Sequence, residues 1–190
     1  YWSCEMEMLK RLESELLYWV QAHRTPVLDG IMTFITSLGN GGFIWVLLTV
    51  GLLARKKTRK AGVMMAAALA LNAVLVNLLL KNIFARVRPF EALSGFSVIV
   101  RRPADWSFPS GHSSSSIAAA FVALRRLPRK VGVPAMVLAG LICISRVYVG
   151  AHYPTDVIGG VVVGLLCGWL AEKLVEKLPG KVKRMRRMEE

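Results

Sequence analysis

Five apolar runs, at residues 28–54, 61–80, 111–124, 131–150 and 157–171, restrict what this chain can fold into. Inside a hydrocarbon layer no water pairs with backbone N–H and C=O groups, so a spanning segment must satisfy them internally, as an α-helix does. About 20 helical residues cross that layer. The second and fourth runs have this length alone. The third and fifth reach it with flanking polar residues, which is tolerated where a helix end faces protein. The first run is interrupted by "GNGG" (39–42), and residues 43–54 alone would rise only roughly 18 Å. A break is therefore expected there, with 28–38 partly at the interface. The hydrophobic share of 54% fits a membrane protein better than a soluble one. The expected fold is all-α: a polytopic membrane helical bundle of five spans.

Residues 5–24, "EMEMLKRLESELLYWVQAHR", put Met8, Leu12, Leu16, Trp19 and Val20 on one helical stripe with charge opposite. This is the pattern of an interfacial amphipathic helix, and equally of a helix packed on the bundle. If it spans, the count becomes six and the N-terminus changes sides. The first 24 residues are too charged for the apolar core of a cleavable signal. The chain reads as one domain, 1–190: an amphipathic helix over 1–27, a transmembrane bundle over 28–178 and a basic tail over 179–190.

Charge is unevenly spread. Of the 25 Lys and Arg residues, five lie in "RKKTRK" (55–60), four in "RRLPRK" (125–130) and five in "KVKRMRR" (181–187). These clusters end runs one, three and five, at every second crossing. By the positive-inside rule those ends and the tail are cytoplasmic, and the loops 81–110 and 151–156 are extracytoplasmic. Nucleic acid is not an expected partner, because the cations sit at the ends of apolar runs and aromatics do not interleave with them. Cys4, Cys143 and Cys167 have no metal spacing, and the latter two read as small core residues.

Three polar clusters fall on the extracytoplasmic side. In "KNIFARVRP" (81–89), Lys81 shares a face with Asn77, and Arg88 joins it if the helix continues to the stop at Pro89. A basic anchor would look similar, but anchors concentrate on the cytoplasmic side. In "FPSGHSSSS" (108–116), Ser110 is a helix N-cap, and Gly111 and His112 form a first turn whose free amides suit an anion. In "SRVYVGAHYPTD" (145–156), Arg146 ends a span, Pro154 begins the next helix, and Asp156 can reach back to His152. A His–Asp pair at a helix start is often only a cap. Beside three cations it gains a second use: the carboxylate fixes the imidazole tautomer and leaves the other nitrogen free to attack. Lys81, Arg88 and Arg146 together suit a phosphoryl group. No metal is expected, since the loops offer only Glu91, Asp105 and Asp156 as carboxylates.

These clusters, in this order, resemble the signature of the type 2 phosphatidic acid phosphatase superfamily. That signature is Lys, six residues, Arg-Pro; then Pro-Ser-Gly-His; then Ser-Arg, five residues, His, three residues, Asp. Every position is matched, by Lys81, Arg88-Pro89, Pro109-Ser110-Gly111-His112, Ser145-Arg146, His152 and Asp156. The resemblance implies a helical core like that of vanadate-dependent haloperoxidases and cofactor-free hydrolysis through a phosphohistidine. It implies His152 as nucleophile, Asp156 as its orienting group and His112 as proton donor to the leaving oxygen. Lys81, Arg88, Ser110, Gly111 and Arg146 would hold the phosphate. The expected function is removal of a terminal phosphate from a lipid phosphate or pyrophosphate, such as undecaprenyl pyrophosphate, phosphatidylglycerol phosphate or phosphatidate. The alternatives are a phosphotransferase using the same intermediate and a non-catalytic lipid-phosphate binder or transporter. The partners implied are the bilayer and the lipid substrate.

Overall fold

The computed structural model describes residues 2–177, so the basic tail expected at 179–190 lies outside the described residues. Helix α1 (Trp2–Ala22) is followed by α2 (Pro26–Leu38). The start of α2 is set locally: Thr25 accepts from the Leu28 amide, and Pro26 takes the first helical position. At the other end Gly41 and Gly42 adopt φ of 57° and 70°, a region glycine enters without steric cost. α3 (Phe43–Ala54) consequently leaves at a bend of 45°, at the break the glycines mark in the sequence.

α4 (Arg59–Ala73) runs through a π-helical stretch, Val74–Leu80, into the single turn α5 (Lys81–Phe84). The helix does not continue to Arg88. Ala85 takes φ of 41° and ends it, so Arg88 reaches its position from an extended segment before α6 (Pro89–Ala92). A long loop then leads to α7 (Gly111–Arg126), α8 (Arg129–Tyr148) and α9 (Pro154–Glu176).

α7 is the central helix and packs on α4, α8 and α9. Its buried face, including Ile117, Ala120 and Val122, meets Met64 and Met65 of α4, Ile142 and Cys143 of α8, and Cys167 of α9. The approach of α9 is unusually close. A Cβ on Gly160 would stand 2.7 Å from the Ser110 carbonyl oxygen, and one on Gly164 would stand 2.5 Å from that of Ser114. The start of α7 thus touches the backbone of α9 six to ten residues into that helix. The α7 serines are satisfied within this core: Ser116 accepts from the Trp45 indole at 2.8 Å, and Ser114 donates to the Gly111 carbonyl at 3.1 Å.

The outer surface is apolar, with Leu78, Val137, Ile144, Ile158 and Val162 all exposed. Three stretches are long and apolar enough to cross a membrane: Lys56–Ala92, Arg129–Tyr148 and Pro154–Glu176. The bent pair α2–α3 makes a fourth if it is one broken span. α7, at 16 residues, rises only about 24 Å and is sheathed by its neighbours, so it does not qualify alone. α1 turns Met8, Leu12, Leu16 and Trp19 outward, while Leu17 and Glu13 are buried against the bundle.

Candidate active site

Each site residue is placed by a local structural device. Lys81 sits where the π-helical stretch returns to α-helix and is 6% exposed. Arg88 precedes a proline, which holds it extended, and is 3% exposed. Ser110 is the N-cap of α7, accepting from the Ser113 amide, with Gly111 and His112 in the first turn. Arg146 lies in the last turn of α8. His152 occupies the turn before α9, and Asp156 is the third residue of that helix.

All eight come together at one end of the bundle. Arg88 Nη1 lies 3.2 Å from His152 Nε2 and donates to the Ala151 carbonyl at 2.8 Å. The Ser110 amide donates to the Asp156 carbonyl oxygen at 2.9 Å, joining the starts of α7 and α9. Gly111 lies beside the Lys81 ammonium. His112 Nε2 donates to Asn40 Oδ1 at 2.9 Å, and the ring stands between two cavities. One, of about 470 Å³, is lined by Val46, Leu69, Asn77, Lys81 and Gly111 and opens between α3 and α4. The other, of about 630 Å³, is lined by Thr36, Arg101, Arg102 and Arg146.

Arginine has no acceptor, so its approach makes His152 Nε2 the lone-pair nitrogen and leaves the neutral ring's proton on Nδ1. That nitrogen faces Asp156 Oδ2 at 3.6 Å. The distance exceeds a formed hydrogen bond, as is common before substrate tightens a site. Asp156 itself is fully fixed. Oδ2 accepts from Ser107 Oγ at 2.5 Å and from the Tyr153 amide at 2.9 Å, and Oδ1 accepts from Arg86 at 2.6 Å. The cap bond thus goes to Tyr153 rather than to His152. Burial pushes the His152 imidazole down to about 4, with Arg146 and Arg88 reinforcing it against the pull of Asp156.

The positive charge is only partly answered. Arg146 is 3% exposed, donates to Thr36 Oγ1 at 2.7 Å, and its Nε has no partner among the described residues. Asp105 is the carboxylate that reaches the other two cations, bonding Arg88 at 2.6 Å and also Lys81. Burial alone would raise its carboxyl, but Lys81 and Arg88 outweigh this and hold it at about 2.

Five residues of this constellation belong to no motif and receive no role from the sequence: Asp105, Ser107, Arg86, Glu13 and Asn40. Arg86 is visible as a charge, but it occupies one of the unspecified positions between Lys81 and Arg88. Glu13 lies 73 residues before the arginine it meets, and only the fold pairs them.

The comparisons with known proteins agree with this geometry. Residues 57–179 match the model of the PAP2 superfamily. The chain is 34% identical to undecaprenyl-diphosphatase BcrC of Bacillus subtilis over 78% of its own length and 76% of that protein. It is 29% identical to an undecaprenyl-diphosphatase of Sulfolobus acidocaldarius, over 92% and 82% of the two chains. Among solved structures, a transmembrane PAP2 type phosphatidylglycerolphosphate phosphatase from Bacillus subtilis superposes with a TM-score of 0.74 at 32% identity. That match covers 91% of this chain and 89% of the other. The chain is therefore a multi-pass membrane phosphatase that belongs to the PAP2 superfamily.

Proposed function

We infer that the protein removes the terminal phosphate of a lipid phosphate or pyrophosphate at the extracytoplasmic face, through a phosphohistidine on His152. One observation carries this reading. Lys81, Arg88 and Arg146, all nearly buried, converge beside a buried His–Asp pair, with Asp105 bonding two of them and no carboxylate among the described residues paired with Arg146. Buried cations without full compensation are costly, and a phosphoryl group arriving among them relieves that cost. The relatives named above act on undecaprenyl diphosphate and phosphatidylglycerolphosphate, and both are candidate substrates here.

In this reading His152 Nε2 attacks phosphorus while its Nδ1–H is held toward Asp156. The bond from phosphorus to the leaving oxygen breaks, and that oxygen takes a proton from His112. Lys81, Arg88, Arg146, Ser110 and the Gly111 amide hold the three equatorial oxygens. Water then attacks the phosphohistidine, giving up a proton to His112, and inorganic phosphate leaves. In this reading Lys81, Arg88 and Arg146 answer the charge of the transferring group.

The topology proposed is five spans, with the bent α2–α3 pair first and α7 as the buried third. α1 lies along the interface on its exposed apolar stripe. The basic ends of α3, α7 and α9 are then cytoplasmic. In this topology the cavity lined by Val46 of α3 and Leu69 of α4 takes the tail of the substrate.

The test is inorganic phosphate release in detergent from a panel of purified lipid phosphates, with and without EDTA. Release matching substrate loss on at least one lipid, unaffected by the chelator, is expected. Loss of activity in EDTA that Mg²⁺ restores would overturn the reading.

A further inference from the structure

Asp156 Oδ2 is held by Ser107 and the Tyr153 amide, but Oδ1 has a different keeper. Arg86 Nη1 donates to it at 2.6 Å and to Thr155 Oγ1 at 2.7 Å, while Nη2 donates to Glu13 Oε2 at 2.7 Å. The guanidinium lies over the Tyr153 ring, 4.0 Å from its centroid, which fixes its plane. Glu13 is 4% exposed although it belongs to a helix otherwise rich in solvated charge. Its second oxygen accepts from the Thr155 amide at 2.9 Å and from Thr155 Oγ1 at 2.5 Å. One glutamate on α1 therefore anchors both the arginine and the first turn of α9. That turn carries Asp156.

We propose that Arg86 and Glu13 are positioning residues for the reaction, a relay by which α1 sets the orientation of Asp156 and, through it, of His152. Residue 13 lies outside the stretch matched by the family model, 57–179, and residue 86 is unspecified in the signature. A clamp serving only to dock α1 would need Glu13 and Thr155; it would not need a cation on the second oxygen of the carboxylate that faces His152. Without that cation Oδ1 loses its one side-chain partner. Oδ2 stays held by Ser107 and the Tyr153 amide, but the plane of the carboxylate can tilt about its Cβ–Cγ bond, and the imidazole loses its fixed direction of attack. A buried Glu13 left facing no arginine would also pull the start of α9 out of register. The effect belongs on turnover rather than on phosphate binding, because neither residue faces the cavities lined by Lys81 and Arg146.

This inference rests on the phosphatase reading above, and the experiment separates the two. Full-length wild type and the variants Glu13→Gln, Arg86→Met, their double variant, Glu15→Gln and His152→Ala are purified in detergent. They are assayed on undecaprenyl diphosphate or phosphatidylglycerophosphate, whichever wild type hydrolyses faster. Protection against heat by orthovanadate reports an intact phosphate clamp in each. Arg86→Met and Glu13→Gln should lower kcat by about tenfold to a hundredfold, with KM within about threefold and vanadate protection retained. The double variant should be no worse than about threefold below Arg86→Met, since both break one relay. Glu15→Gln, exposed on the same helix, should match wild type. Wild-type kcat in both single variants, losses that multiply in the double, or loss of vanadate protection along with kcat would each overturn the relay. Turnover surviving in His152→Ala would overturn the phosphohistidine reading on which this inference rests.

Discussion

His152 is buried beside Arg88 and Arg146, and both its burial and those charges favour the neutral ring. An attacking imidazole must be neutral, so protonation abolishes it. With a value near 4, the ring is already neutral throughout the range from about 5 to 8, and the acid limb of kcat/KM should fall about tenfold per pH unit only below about 4. A limb centred near the ordinary histidine value of about 6.5 would mean the nucleophile is elsewhere or is solvated. Asp105 makes a second residue-scale prediction. Its carboxylate sits on Lys81 and Arg88, and in the proposed clamp an incoming phosphate displaces it. Asp105→Asn keeps the shape but removes the charge, so the inhibition constant for orthovanadate should drop between about threefold and thirtyfold. An unchanged constant would show that Asp105 does not compete for the clamp.

The elements differ in how much of them the sequence declares. Helix starts are legible because their signals are local: Ser110 as cap and Pro154 in first position both stand where expected. The break at "GNGG" is legible for the same reason, since glycine alone enters the region seen at Gly41 and Gly42 without strain. The end of α5 is not. No residue in "KNIFARVRP" before the proline announces a stop, and the positive φ falls on Ala85, where tertiary packing overrides local preference. Site residues brought by motif were legible, whereas Glu13, Arg86 and Asp105 were not, because their meaning lies in contacts across the fold. The α7–α9 approach belongs to this scale too. Gly164→Val would drive a side chain into the Ser114 carbonyl, costing on the order of 1–3 kcal/mol and pushing the middle of α9 away from α7. Its melting temperature in detergent should fall by several degrees, with activity lost in parallel. Gly140→Val, where no neighbour stands within 4 Å, should change neither.

For the whole molecule, the arrangement resolves a conflict in the sequence. A bundle with an apolar exterior gathers three nearly buried cations, two histidines and a caged aspartate at one end, where lipid tolerates charge poorly. A phosphate brought by a lipid gives those charges a counter-ion, and two cavities lead to them. The N-terminal helix is more than a float in this picture, since Glu13 reaches the catalytic end through Arg86. The central claim is that phosphate passes through His152. The most direct measurement mixes the enzyme with excess lipid substrate, quenches within milliseconds in alkali, which preserves phosphoramidates, and maps the phosphorylated peptide by mass spectrometry. The account expects acid-labile phosphate on His152, absent from His152→Ala. Phosphate on a different side chain, or full turnover by His152→Ala, would contradict it.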